Sequence, residues 1–379
     1  VESAAAGAWV AVAAIALVDR RAMPRVRRTR SAGGASVTMI VPARDEARNI
    51  GAWVHDARRQ THAAQRIIVT DDCSEDGTSE AALEAAAGDP RVEVRRFGPP
   101  PRGWIGKTWA AHNAASLAHS EWLLFSDADV RMTRDALASA LHAAQDTCAD
   151  AFSMTATLEC GSWWERQIMP AVGALILSSI PAFLVNDDRS RVALLAGGFI
   201  LARREAYERV GGHMSVRGSI AEDRDLAERF KAFGYRVRLR DGSELLRVRM
   251  YDGLAQMWAG WRKNFFEGAR RSPLIAAVFV VVTVAMLVLP VPVLALVGVL
   301  GAHTGLSAQQ RRLALACAVC VASTALVRIA RDRAIGFRTD ITSLAATPIA
   351  GAFAAAVMAA SAWRVMSGRG QRWKGRTIP

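Results

Sequence analysis

Asp127 and Asp129 flank a single alanine at the end of the apolar run Trp122 to Phe125, so two carboxylates stand where a buried strand should give way to a loop. In an open α/β sheet, ligands bind at the carboxyl ends of the strands. Carboxylates spaced D-x-D suit a hard divalent cation, which takes oxygen ligands and shares them with substrate phosphates. A solvated acidic turn would have the same composition, so the pair gains meaning only from groups elsewhere in the chain. Asp71 and Asp72 close another apolar run, and Gly77 bends the acidic loop after them, so backbone and ligand can approach closely there. Gly98 to Lys107 is too rich in Pro and Gly for regular structure and must be ordered around something. Glu222 and Asp223 open an amphipathic helix running to about Phe233, where acids also suit the helix dipole.

The elements that must position these groups are legible from apolar runs and their punctuation. Val37 to Val41 reads as a buried strand, and Pro42 to Glu46 turns into a helix through about Arg59. Further strands are expected at Arg66 to Thr70, near Val92 to Arg95, at Ser153 to Leu158 on the sheet edge, and from Gly197 to Ile200. Strands alternating with helical stretches of this length predict a mostly parallel sheet with helices on both faces. Gly211, Gly212 and Gly218 bracket a flexible loop in which His213 is expected to be solvated.

The ordered succession TMIVPARDEARNI, IIVTDDCSEDGT, GWIGKTWAA, LLFSDADV and IAEDRDLAERF resembles the inverting family 2 glycosyltransferases of GT-A fold. It looks closest to membrane-anchored enzymes that glycosylate lipids, such as the hopene-associated, carotenoid and ceramide glucosyltransferases, and the match runs from about Val37 to Lys263. The resemblance implies an α/β, Rossmann-like GT-A domain over residues 37–248, with transmembrane helices before and after it. It implies that Asp71 and Asp72 hydrogen-bond the nucleobase, a carboxylate being a suitable acceptor for an imide N–H. Glu46, after the Pro42 turn, is a further nucleotide-side acid or simply a first-turn helix carboxylate. Lys107 matches the lysine of a GWxGK signature, where an ammonium and a helix N-terminus could both meet the diphosphate. Asp127 and Asp129 would then hold the metal of the nucleotide sugar, Mg2+ or Mn2+, with Asp129 the direct ligand. Glu222 and Asp223 match the family's ED motif, whose second acid, Asp223, would be the catalytic base. Processive members carry QxxRW. Here Gln256 lies five residues before Trp261 and Arg262 follows the tryptophan, a departure that favours transfer of a single sugar. Trp261 and Arg262 either close over the donor or anchor the chain in the membrane.

The apolar content, 51% of the chain, is concentrated in long runs near the two ends. Ala4 to Val18 is followed by Asp19 and a string of arginines, so residues 1–30 read as an anchor with its basic side in the cytoplasm, since a cleaved signal peptide would carry its charges before the apolar run. Residues 163–185 hold an apolar run broken by Pro170 and Pro181. A full crossing there would split one active site across the membrane, so an interfacial or re-entrant segment leading a lipid acceptor to the site is expected, with a buried core helix as the other reading. Residues 249–271 form an interface helix, in which Trp258, Phe265 and Phe266 stand beside Arg262 and Lys263. Residues 273–363 hold three apolar stretches, Leu274 to Leu300, Leu313 to Ile329 and Leu344 to Trp363, and residues 364–379 are a basic tail. Three full crossings would place that tail outside, against the positive-inside rule, so one segment is expected to be re-entrant, the stretch broken at Pro290 and Pro292 being the candidate.

The formal charge of +13 is almost all arginine, clustered beside apolar segments, and no nucleic-acid motif accompanies it. A basic skirt against anionic lipid accounts for it, and no nucleic-acid partner is expected. Cys317 and Cys320 form a CxxC without a second pair or a histidine, so they are packing residues and not zinc ligands. These readings converge on a multi-pass protein of the cell (inner) membrane whose cytoplasmic domain moves one sugar from a nucleotide-sugar donor such as UDP-glucose to a hydroxyl of a lipid acceptor. The alternatives are transfer from a GDP- or UDP-sugar to a polyprenyl phosphate, and a non-catalytic nucleotide-sugar sensor or scaffold. The positioned acids speak against the sensor, since binding alone needs no base.

Overall fold

The computed structural model describes residues 18–19, 21–31, 33–373 and 376–378. The anchor expected over Ala4 to Val18 lies outside the described residues except for Val18, as do Arg20 and Lys374. The chain divides into two compact units. A sheet unit takes Ala22–Glu159 and Ala182–Met250, and a helical unit takes Cys160–Pro181 and Tyr251–Pro379 with what is described of Val1–Arg21.

In the sheet unit the strands are β1 (Val37–Ala43), β2 (Arg66–Asp71), β3 (Val92–Arg96), β4 (Trp122–Ser126), β5 (Val130–Met132), β6 (Ala151–Thr155), β7 (Thr157–Leu158), β8 (Phe199–Arg203), β9 (Val237–Asp241) and β10 (Leu246–Val248). Seven of them form one sheet in the order β3-β2-β1-β4-β8-β6-β9, and β5-β10-β7 form a small second sheet. β8 runs antiparallel to β4 and β6, and every other pair in the large sheet is parallel. A strand covered on both faces needs apolar residues at consecutive positions, and β4 and β6 are buried along their whole length. The helix Ala47–Arg58 buries Ile50, Trp53, Val54 and Ala57, the i, i+3, i+4, i+7 face of an amphipathic helix. They join Val37, Met39 and Val41 of β1 in one core.

The stretch expected as a single edge strand, Ser153 to Leu158, is in fact two. β6 lies between β8 and β9, one place in from the edge, and β7 belongs to the small sheet. The edge goes to β9, whose alternate residues are only partly buried. Pro42 sits within β1 opposite Thr70, beyond the last residue of β1 that pairs with β4, so its missing N–H costs the β4 ladder nothing.

The helical unit contains Trp163–Ser179, Leu254–Gly268, Pro273–Thr283, Pro290–Thr304, Ala308–Asp332 and Thr347–Met366. Ser162 caps the first of these, and Glu165 ties it down by accepting from Ser162 Oγ (2.6 Å), Gly161 N (2.7 Å) and Gly253 N (2.8 Å). Pro273–Thr283 runs through one π-turn, Val284–Val288, into Pro290–Thr304, and the two arms bend by 41°. Pro290 has no N–H to give Met286 four residues back. The Met286 carbonyl accepts from Cys320, whose Sγ lies 3.2 Å away. Ala308–Asp332 and Thr347–Met366 are each long and apolar enough to cross a membrane, and the bent pair makes a third candidate if it counts as one span.

Candidate active site

The carboxyl ends of β1, β2 and β4 carry the acids that the sequence singles out. Beyond β1, Asp45 takes up the left-handed conformation (φ 49°), and Glu46 stands at the N-cap of the helix Ala47–Arg58. Hydrogen bonds join this turn to the loop after β2: Asp45 N donates to Ser74 Oγ (2.9 Å), Glu46 N to Thr78 Oγ1 (2.8 Å) and Ala47 N to Asp76 Oδ2 (2.9 Å). Asp71 is only 2% exposed, and both of its oxygens hold that loop, Oδ1 accepting from Ser74 N (2.7 Å) and Oδ2 from Ser79 Oγ (2.5 Å). Asp72 donates its N–H to the Ala43 carbonyl at 2.8 Å, and its own carbonyl accepts from Arg44 Nη1 at 2.8 Å.

Lys107 joins two acidic motifs that are 95 residues apart in the chain. Its Nζ lies 2.7 Å from Asp127 Oδ1 and 2.7 Å from Glu222 Oε1. Burial opposes the ammonium, but the two carboxylates outweigh it and hold its pKa well above the usual lysine range. The Lys107 side chain as a whole is 39% exposed. The helix Gly106–Ser116 presents Lys107 in its first turn. Its start is pinned by the Arg217 carbonyl, which accepts from Ile105 N (2.8 Å) and Thr108 Oγ1 (2.6 Å). The Pro- and Gly-rich loop is therefore ordered against the 217–218 turn.

Asp223 lies against bare backbone. A Cβ built on Gly197 would fall 2.7 Å from Asp223 Oδ2, closer than real contacts allow. Burial, with the charge of Glu222 added, pushes the Asp223 carboxyl up to about 6 against the pull of Lys107. Asp129 is pushed up to about 7 by burial, Asp127 and Glu46, with Lys107 opposing. Carboxylates crowded so that one resists ionisation meet the electrostatic condition that a divalent cation relieves. Among the described residues no three His, Cys, Asp or Glu side chains are arranged to hold a metal ion. A Mg2+-type ion that keeps its waters and takes phosphate oxygens needs only one or two protein carboxylates, and the D-x-D pair fits that demand.

His213 is not solvated, as its loop position suggested, but 4% exposed. Its Nδ1 lies 2.7 Å from Tyr207 Oη, and its ring meets Phe125 edge-on at 4.7 Å. Burial, with Lys107 and His112 nearby, lowers its pKa to about 3, so it is neutral at physiological pH. Gly212 makes this possible, because a Cβ there would meet the Tyr207 ring at 2.5 Å.

The sheet unit thus holds Pro42, Glu46, Asp71, Asp72, Lys107, Asp127, Asp129, Glu222 and Asp223. Trp261 and Arg262 belong to the helical unit. Trp261 is buried there, with Nε1 3.4 Å from Met169 Sδ and its ring 5.6 Å from that of Phe265. Arg262 has its Nε buried without a partner among the described residues. Sequence reasoning placed Gly197 in a strand and did not anticipate its contact with Asp223; the strand begins only at Phe199. The Gly197-Gly198 doublet just ahead of a strand was the one signal for it.

An open, mostly parallel sheet with helices on its faces is an α/β fold of GT-A type, and a lysine-bridged set of acids lies at its carboxyl edge. Residues 38–211 match the family model described as Glycosyl transferase family 2. The 4,4'-diaponeurosporenoate glycosyltransferase of Staphylococcus aureus (strain USA300) is 26% identical over 262 residues, 67% of each chain. The enzyme of the same description from Staphylococcus haemolyticus (strain JCSC1435) is 27% identical over 243 residues, 62% of each chain. A mannosyltransferase from Pyrobaculum calidifontis, solved in complex with GDP-Man and Mn2+, has the same fold, with a TM-score of 0.52 at 18% identity over 97% of this chain and 100% of that one.

Proposed function

We propose that the protein is a membrane-bound inverting transferase that moves one sugar from a nucleotide sugar to a hydroxyl of an isoprenoid-type lipid, a hydroxylated carotenoid being the first class to try. The observation that carries this reading is the bridge from Lys107 to Asp127 and Glu222, which brings the donor-side and base-side acids within one site. The acceptor class is supported by the printed names of the staphylococcal relatives.

In this reading Asp72 accepts from the nucleobase, because the oxygens of Asp71 are engaged in the loop. Asp127 and Asp129 would hold Mg2+ or Mn2+, which would supply positive charge to the diphosphate. Lys107 exchanges its carboxylate partners for the diphosphate and stabilises the charge that grows there as it leaves. Asp223 takes the proton from the acceptor hydroxyl. The acceptor oxygen bonds to the anomeric carbon, the bond from that carbon to the diphosphate oxygen breaks, and the nucleoside diphosphate departs on the opposite face. One displacement inverts the anomeric centre.

The test is transfer of labelled sugar by the purified protein from UDP-glucose, UDP-GlcNAc or GDP-mannose into a host lipid extract, with Mg2+ or Mn2+. A labelled lipid formed with one donor and lost in Asp223→Asn and Asp129→Ala supports the reading, and mass spectrometry of that lipid names the acceptor. Unchanged turnover in Asp223→Asn would overturn the assignment of the base.

A further inference from the structure

We infer that Arg262 and Arg364, both in the helical unit, form a binding site for the phosphate of an anionic lipid headgroup. This rests on the membrane-bound reading above but not on its chemistry.

The helices that carry the two arginines, Leu254–Gly268 and Thr347–Met366, run side by side in the same direction. The Trp258 ring meets that of Phe353 at 5.7 Å, and eight residues further along each helix Phe266 N donates to Ser361 Oγ at 3.2 Å. Ser361 Oγ in turn donates to the Arg262 carbonyl, so it sits on the turn that carries Arg262. Arg364 follows Ser361 by three residues, on the same face of its helix. The pairing of the two helices thus brings both arginines to one place.

Their charges are met differently. Arg364 Nε donates to the Gly370 carbonyl at 3.1 Å, and the residue stands in the last turn of its helix, where the dipole favours a cation. Arg262 lies in the middle of its helix and has neither advantage. Its Nε is buried without a partner among the described residues. Burial, and after it the charge of Arg364, lower its pKa, and no carboxylate offsets them. A buried cation beside a second cation is costly unless an anion meets both.

The guanidinium fork selects phosphate, because its parallel N–H donors match two phosphate oxygens at once. The surroundings select a lipid as the source of that phosphate. Trp363 and Met366, on either side of Arg364, are exposed, and Thr347–Met366 is long and apolar enough to cross a membrane. Such a helix places its last turn at headgroup level, where tryptophan is enriched and basic pockets between helices hold anionic headgroups. A partly buried pair is also screened by salt much less than exposed arginines are, so this lipid should be held where a loose basic surface would release it.

The experiment is titration of the purified full-length protein in detergent with phosphatidylglycerol, phosphatidylcholine or inorganic phosphate, read by native mass spectrometry and by thermal unfolding. Wild type should bind phosphatidylglycerol about tenfold more tightly than phosphatidylcholine, unfold at a higher temperature with it, and keep it in about 0.5 M salt. Arg262→Gln and Arg364→Gln should each weaken that binding about tenfold. Arg338→Gln, which removes an exposed charge elsewhere in the helical unit, should not, and Arg262→Lys should recover only part of the loss. Equal affinity of wild type for the two lipids would overturn the proposal whether or not any variant folds, and so would equal loss in Arg262→Gln and Arg338→Gln. Stabilisation by inorganic phosphate as strong as that by phosphatidylglycerol would rule out the lipid as the source. If Arg262→Gln kept its lipid and lost affinity for UDP-glucose or GDP-mannose, Arg262 would belong to the donor instead. Release of the protein from membranes by alkaline carbonate would show that the membrane-bound reading itself is wrong.

Discussion

If Asp223 is the base, as proposed, the protonation of its carboxyl bears on both rate and stability. Because burial and Glu222 lift its pKa to about 6, the fraction ready to accept a proton grows as pH rises through that value. Turnover should therefore climb through pH 6 and level off above it, and Asp223→Asn should lower kcat by about 10²- to 10⁴-fold while donor affinity stays near wild type. The stability effect has the opposite sign. A carboxyl whose pKa is raised on folding binds more protons in the native than in the unfolded state between about 4 and 6, so its contribution to stability falls as pH rises across that window. Asp223→Asn should melt at a higher temperature than wild type at pH 8, with the gain shrinking towards pH 4. Lys107→Met should leave Asp127 and Glu222 without their shared cation and weaken nucleotide-sugar binding at least about tenfold by calorimetry. These acids and this lysine were legible in the sequence because the chemistry lies in the residue type. Gly197 was not, because its role is the atom it lacks, and that shows only when Asp223 arrives from a distant part of the chain.

At the scale of elements, Gly197→Ala separates positioning from binding. The added methyl must displace Asp223, so kcat should fall while KM for the donor changes little, and restoring glycine at that position should restore the rate. If KM rose and kcat held, Gly197 would matter to the donor loop and not to the base. Strand positions were readable wherever burial on both faces demanded continuous apolar runs, as in β1, β2 and β4. The reading failed at Ser153 to Leu158, where one apolar stretch serves two sheets and only the pairing partners reveal the break. Hydropathy marks the apolar segments of the helical unit, yet it cannot tell a helix facing lipid from one facing other helices. Thr347–Met366 shows the ambiguity, its small residues being as suited to close packing as to a bilayer.

At the scale of the molecule, the decisive property is charge sidedness. If arginines near the membrane and the tail share one face, binding of the detergent-free protein to anionic vesicles should weaken as salt rises from 0.05 to about 0.5 M, because screening shortens the reach of those charges to a few ångströms. Neutral vesicles should show no such dependence, and equal salt response with both would sink the idea of a basic skirt.

The helical unit is assembled from pieces that enter and leave the sheet unit at different points, with Cys160–Pro181 inserted in the middle of the catalytic chain. It is not a detachable appendage. A fragment ending at Met250 would keep Trp163–Ser179 but lose every later helix that covers it, so it should collect in inclusion bodies although Lys107 and the acids of the candidate site are all present. During synthesis the same layout sets a waiting time. The ribosome has to deliver more than 180 further residues after Ser179 before the Thr347–Met366 partner of that helix is complete, and until then Leu254–Gly268 is the partner it can have.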